Sequence, residues 1–383
     1  MSEETIKILK MLEGGRISSQ EADSLLSALN KRKPNRHRHW QDTAGLHETL
    51  GQINPGRIVA EALAGVRESL KDIHIEIDDI HGSEKAEEEK EIVVPAAGIA
   101  AISINQPRSD FEITGAETDQ ITITADIQVW AEDRGEAREK LKSLDISTET
   151  ENGVLKIKVD GPPWTKKRRA KVDFTIVMPK NIAAEISSVS GEISVQNLLN
   201  GCRLNTASGE IEIFGCRGEN NLSSASGDIE VNGCTETALK INTASGDLVV
   251  NGCSGSLDFQ TISGDAGISL SGDIQGQTVS GDIDIKSARA GEIRIRSTSG
   301  DIQFQGPVAE GSSAVITTVS GDVSLELGAD SSAAVEAATV SGDVDCELDL
   351  EGLSQTNRSL SGKLGGGRGS LSVKTVSGDI TIS

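Results

Sequence analysis

The chain has 383 residues, with 59 acidic and 37 basic side chains and a formal net charge of -22. That balance excludes nucleic acid as a main partner, because phosphate binding needs a basic face. Aromatic residues make up only 2%, with no tyrosine, whereas glycine reaches 41, which excludes aromatic-filled cores and favours small, repetitive β packing.

Residues 1–32 predict a helical hairpin. Ile6, Leu9 and Leu12 give one apolar stripe, and Gly14-Gly15 ends the first helix. Ser18 or Ser19 caps the second, whose apolar side carries Leu25, Leu26 and Leu29. So short a hairpin buries little by itself. These six side chains are therefore the candidate partner-binding residues.

Residues 33–91 read as a linker. The basic run KRKPNRHRHW (31–40) is a solvated tether or a contact for anionic lipid. Over 57–71, Ile58, Val59, Ala62, Leu63, Val66 and Leu70 share one helical face, which packs on the protein itself or lies on a membrane. Weak anionic-membrane contact through 31–71 is expected. GSEKAEEEKE (82–91) reads as a charged linker. The start lacks an apolar leader segment, and no run of eighteen apolar residues occurs. The expected location is cytoplasmic, with cell-surface association by non-classical export as the alternative.

Residues 92–189 form a β-rich leading region. ITITADIQV (121–129) and VLKIKV (154–159) alternate with period two. EDRGEAREKLKSL between them predicts a short helix, and VDFTIVMPK (172–180) predicts a further strand.

From residue 190 the chain repeats. Ser-Gly-acid followed by an aliphatic residue places corner glycines at Gly191, Gly209, Gly227, Gly246, Gly264, Gly281, Gly300, Gly321, Gly342 and Gly378, and Lys363 replaces the acid after Gly362. Successive glycines lie 16 to 21 residues apart. Such a period marks a stacked repeat architecture. In LKINTASGDLVV, Leu239 and Ile241 share parity, then Leu248 and Val250 shift it across Gly246-Asp247, as a corner requires. Glycine is expected there at positive φ, at Gly227 and Gly246 among others. The acid is expected to accept from turn N–H groups, and the Ser and Thr before it to bond along the stack. A two-residue hairpin also fits the spacing. Some twenty-two meander strands exceed an ordinary open sheet, however, so a parallel β-helix-like solenoid is preferred.

Cys202, Cys216, Cys234, Cys253 and Cys346 form no CxxC pair, so the repeat-spaced ones read as small apolar residues of successive coils. A column of carboxylates could hold calcium, but the GGxGxD pattern of calcium β-rolls is missing. All five histidines (37, 39, 47, 74 and 81) precede the β-rich part, and the acids recur in every coil rather than converging. The expectation is no enzyme, no cofactor and no metal.

IKILKMLEGGRISSQEADSLLSAL resembles the short helical domain that opens YvlB-like and LiaX-like bacterial proteins. VDFTIVMPK leading into SSVSGEISV and the later Ser-Gly-Asp coils resembles the putative-adhesin, LiaG-like β-strand-repeat family. The resemblance implies a non-enzymatic scaffold or regulatory protein of the cell-envelope stress response. Its hairpin would recruit a protein partner such as a membrane stress protein. The alternatives are a surface adhesin and a polysaccharide-active β-helix enzyme.

Overall fold

The computed structural model describes residues 84–162, 170–287 and 290–383. The predicted hairpin with its six apolar residues, the basic run and the helix over 57–71 all lie outside the described residues.

The period-two pattern becomes strand wherever it was expected. In Ile193–Gln196, Ile211–Phe214 and Ile229–Asn232 the first and third residues are buried, and the others face outward. Each strand pairs in parallel with its counterpart one repeat on, Ile211 beside Ile193 and Ile229. The preceding strands do the same, with Leu204 beside Leu222 and Leu222 beside Ile241. Each repeat is therefore one coil, contributing a rung to two parallel ladders. The first ladder runs through Leu204, the second through Ile211. The two bury their inner rows against each other in one continuous aliphatic core. The bulkiest inner side chains are fitted locally. Phe259 sits where a Cβ on Gly276 of the next coil would come within 2.3 Å of its ring, so a large residue is answered by none.

The corner glycines stack as a column. A Cβ on Gly281 would stand 2.1 Å from the carbonyl oxygen of Gly264, one coil below, and the same short approach recurs along the column. Cα–H here points along the stack axis, so no side chain fits between coils about 4.8 Å apart. Gly246 has φ +140, as expected. Gly227 does not share the positive φ expected of it. Its requirement is purely the close approach, 2.2 Å to the Gly209 oxygen. A second corner carries a shorter column, Gly272 over Gly255.

The acids act between coils rather than within their own turn. Asp228 Oδ1 accepts from Asp247 N at 2.8 Å, and Asp247, Asp265, Asp282, Asp301 and Asp322 each serve the next corner in space. At the amino-terminal end Asp173 accepts from Asp110 N, and Asp110 from Glu192 N. The Ser and Thr three residues before each corner glycine depart from expectation. Thr339 and Thr375 do donate to carbonyls of a stacked coil. The hydroxyls of Thr206, Ser224, Thr243, Thr278, Ser297 and Thr318 are buried without a protein partner. They pack as small side chains.

Coil order departs from chain order at both ends. The coil formed by Ala101–Asn105 and Phe111–Ala116 lies between Ala183–Gln196 on one side and Val154–Asp160 with Ala170–Pro179 on the other. Phe111 and Phe174 stack across that contact with ring centroids 5.6 Å apart. At the far end, the chain's final coil, Gly369–Ser377 with Ile380–Ile382, inserts between the coils of Ser313–Leu327 and Ala333–Cys346. Antiparallel strands then cover the ends. Asp145–Glu151 and the pair Gln120–Ala131 and Glu84–Pro95 close the first, and the hairpin Glu351–Thr356 with Ser359–Leu364 continues the other.

The segment read as a charged linker is thus corrected. Glu84–Pro95 is a twelve-residue strand paired throughout with Gln120–Ala131. Glutamates and lysines on both faces hide its alternation, and only Ala86 is fully buried. The short helix is present as Arg134–Lys142, capped by Asp133, which accepts from Glu136 N at 2.9 Å. No helix among the described residues is long and apolar enough to cross a membrane.

Candidate binding surface

The corner acids and glycines hold coils together, which leaves the outward-facing side chains of the strands as the candidate surface. On the second ladder these fall into rows across the strands. One row runs Val93, Thr122, Val177, Thr114, Gln196, Phe214, Asn232, Asn251, each directly beside the next. It crosses eight strands without a charge, a span of about 34 Å at the usual strand spacing. Phe214 is 55% exposed, with Val93 and Val177 also standing in solvent. The next row carries Glu91, Glu112, Glu212 and Glu230 among threonines and a serine. The strip is uncharged, carries an exposed aromatic, and has carboxylates along one side. Thr122, Thr114 and Gln196 separate the three apolar side chains, so the strip is mixed rather than purely apolar.

The border is electrostatically crowded. One carboxylate oxygen from each of Glu210, Glu212 and Glu230 lies within 4.8 Å of the others. Partial burial, then Glu212, Glu192, Asp228 and Glu230, raise the Glu210 carboxyl above its ordinary range. Its folded-state value exceeds the unfolded one. The associated stability is complete below the ordinary glutamate range and is lost as pH rises through the raised value. Glu210→Gln should therefore raise the melting temperature at neutral pH and leave it unchanged near pH 4. The gain should be about 0.5 kcal/mol or less, because the group is largely exposed and screened. Paired thermal melts at the two pH values check this.

Two open grooves accompany the strip. One of about 340 Å³ crosses the first ladder between Glu219, Lys240, Asp258 and Arg294. The other, about 520 Å³, forms over Gly267 beside Asp265, Asp282 and Asp301. Those aspartates already accept the next coil's N–H through one oxygen. No histidine stands among the described residues.

The corner glycines lie in the columns described above. Cys216, Cys234 and Cys253 are buried in successive coils as free thiols, as the repeat spacing implied. The Cys234 thiol is pushed up to about 11, first by its bond with Cys216 and further by burial, so the column is packing rather than reactive chemistry. The uncharged strip was not singled out from sequence. Its signal was present in IEIF, where alternation puts Ile211 and Ile213 inside and therefore Phe214 outside.

The family model described as Toastrack DUF4097 matches residues 99–285 and 275–383, and the SHOCT-like domain model matches residues 3–34. No curated protein matches the chain. Among solved structures, a putative adhesin from Parabacteroides merdae is 12% identical, covering 77% of this chain and 96% of that one, with a TM-score of 0.34. A putative adhesin from Bacteroides fragilis is 13% identical over 77% and 97%, with a TM-score of 0.32. A putative lipid binding protein from Parabacteroides distasonis is 13% identical over 78% and 97%, with a TM-score of 0.25.

Proposed function

The chain belongs to the Toastrack DUF4097 family, and from that premise we propose that it is a non-enzymatic interaction scaffold, a β-solenoid that offers one outer face to a macromolecular partner. The observation that carries this reading is the uncharged row that exposes Phe214, with glutamates along one side. A rigid stack suits such a role, because its rows hold side chains at fixed spacing without a cleft. The repeated acids support it too, since each serves its neighbouring coil instead of converging on one reactive centre.

The narrower reading is a regulator of the bacterial cell-envelope stress response, of the YvlB-like and LiaX-like kind. It rests on the order of the two resembling segments. In it the hairpin over 3–29 recruits a protein partner and the stack presents a second surface. Surface adhesion is the second reading, favoured by the exposed strip itself.

Phe214→Lys tests the common core of both. The variant should lose the partners retained by the full chain in cells while melting like the parent, since the side chain stands in solvent. Partner capture that survives Phe214→Lys but fails on deletion of 1–32 would move the binding role to the amino-terminal segment. Capture that survives both would refute the proposal.

A further inference from the structure

Among the described residues the two ladders end in four edges, and three are guarded. Glu84–Pro95 carries glutamates and lysines over its first eight residues and ends in a proline, Asp145–Glu151 carries three acids, and Val344–Cys346 is only three residues long. Charge and shortness are the usual protections of an open edge. The fourth edge, Glu351–Thr356, is six residues long and carries one charge, Glu351 at its first position. Its sequence is EGLSQT, all six residues are exposed, and it pairs only with Ser359–Leu364 among the described strands. Leu353 is 48% exposed. The turn of this hairpin is well anchored. Asn357 offers its carbonyl to Val344 N at 2.9 Å, the place taken by the next coil's aspartate carbonyl elsewhere in the stack. The hairpin thus imitates one half of a further coil and leaves its outer side unpaired.

We propose that this edge joins a second copy of the chain, strand Glu351–Thr356 pairing antiparallel with itself about a two-fold axis, so that two stacks meet end to end. Charge selects the partner. Glu347, Asp349 and Glu351 precede or begin the strand, and Arg358 follows it. All four are exposed, and none is in an ion pair among the described residues. Antiparallel pairing centred in the strand sets the acidic flank of each copy against the other's Arg358. A parallel arrangement would align acid with acid. The pairing is isologous and closes at two copies. Its contact is short, so the dimer is reversible and concentration-dependent.

Sedimentation velocity of the full chain over a broad concentration series, with hydrogen exchange on the amides of 351–356, tests the proposal. The parent should pass from monomer to dimer, and those amides should slow in step. Ser354→Lys supplies the missing guard at an exposed position and should leave a monomer with an unchanged melt. Arg358→Glu should weaken association about tenfold or more, as loss of two symmetric favourable contacts and gain of two repulsive ones requires. A parent that is monomeric throughout would overturn the proposal. So would a dimer undiminished by Ser354→Lys, or protection of 351–356 that ignores concentration, which would mean that the chain itself covers the edge.

Discussion

Gly281→Ala should destabilise the protein by about 3 kcal/mol or more, the sum of left-handed strain and forced displacement of a packed neighbour. Gly252→Ala should cost about 1 kcal/mol, and Gly267→Ala nearly nothing or a slight gain. The three glycines separate two causes. Gly281 has φ +135, and its Cβ would stand 2.1 Å from the Gly264 oxygen, backbone that cannot swing aside. Gly252 has φ +61 with nothing within 4 Å of the added carbon, so only conformational strain remains. At Gly267 the space is open and the φ lies outside the left-handed region, so alanine chiefly restricts the unfolded chain. Urea midpoints of the three variants give the ranking. Equal losses at Gly281 and Gly252 would mean that coil-to-coil contact is not what the corner glycines serve.

Removal of residues 369–383 should be far more damaging than removal of residues 1–83, although it is much the smaller deletion. The final coil buries Leu371, Val373, Ile380 and Ile382 at 1% exposure or less. Four such side chains are worth about 6–12 kcal/mol as an upper estimate. Among the described strands the coil is also the only ladder pairing that joins Ser313–Leu327 to Ala333–Cys346, which do not pair with each other. Its loss strips each neighbour of one ladder partner at once. The truncated chain should lose the C-terminal coils, seen as a lowered first melting transition and as proteolytic trimming back toward the coil of Ile302–Gly306. The coils bury each other's apolar edges and need only their neighbours. Deletion of 1–83 should therefore leave the β circular-dichroism signal and melting transition unchanged. A C-terminal truncation that melts like the parent would contradict the intercalated order.

The contrast shows what a sequence of this kind carries. Coils were legible because a corner needs glycine and a short acid, and each coil meets that need locally. The parity shift across Gly246-Asp247 even gave the inward face. The order of coils along the stack was not legible. GSLSVKTVSGDITI has the same local pattern as its sisters, and nothing in it says that it sits one coil earlier in space than Ala333–Cys346. The strand over Glu84–Pro95 was hidden for a related reason: an edge protected by charge loses the alternation by which strands are recognised. The acid's partner was misplaced because a turn and a stacked neighbour offer similar N–H groups, and only the close approach of the glycines selects the second. Phe214 could have been found, since parity alone put it outside.

The Ser-Gly-Asp repeat is architecture, and in the proposed function recognition resides elsewhere. Asp282 tests this most directly, because its Oδ1 accepts from Asp301 N at 2.8 Å in mid-stack. Asparagine keeps that acceptor and removes one charge from a column of like charges, whereas alanine removes both. Denaturant melts of Asp282→Asn and Asp282→Ala, each with partner capture measured alongside, decide the matter. The expected result is an Asn variant as stable as the parent or slightly more so, an Ala variant weaker by about 1 kcal/mol, and capture intact in both. An Asn variant that loses capture, or that falls as far as the Ala variant, would show that the carboxylate charge itself is what the repeat preserves.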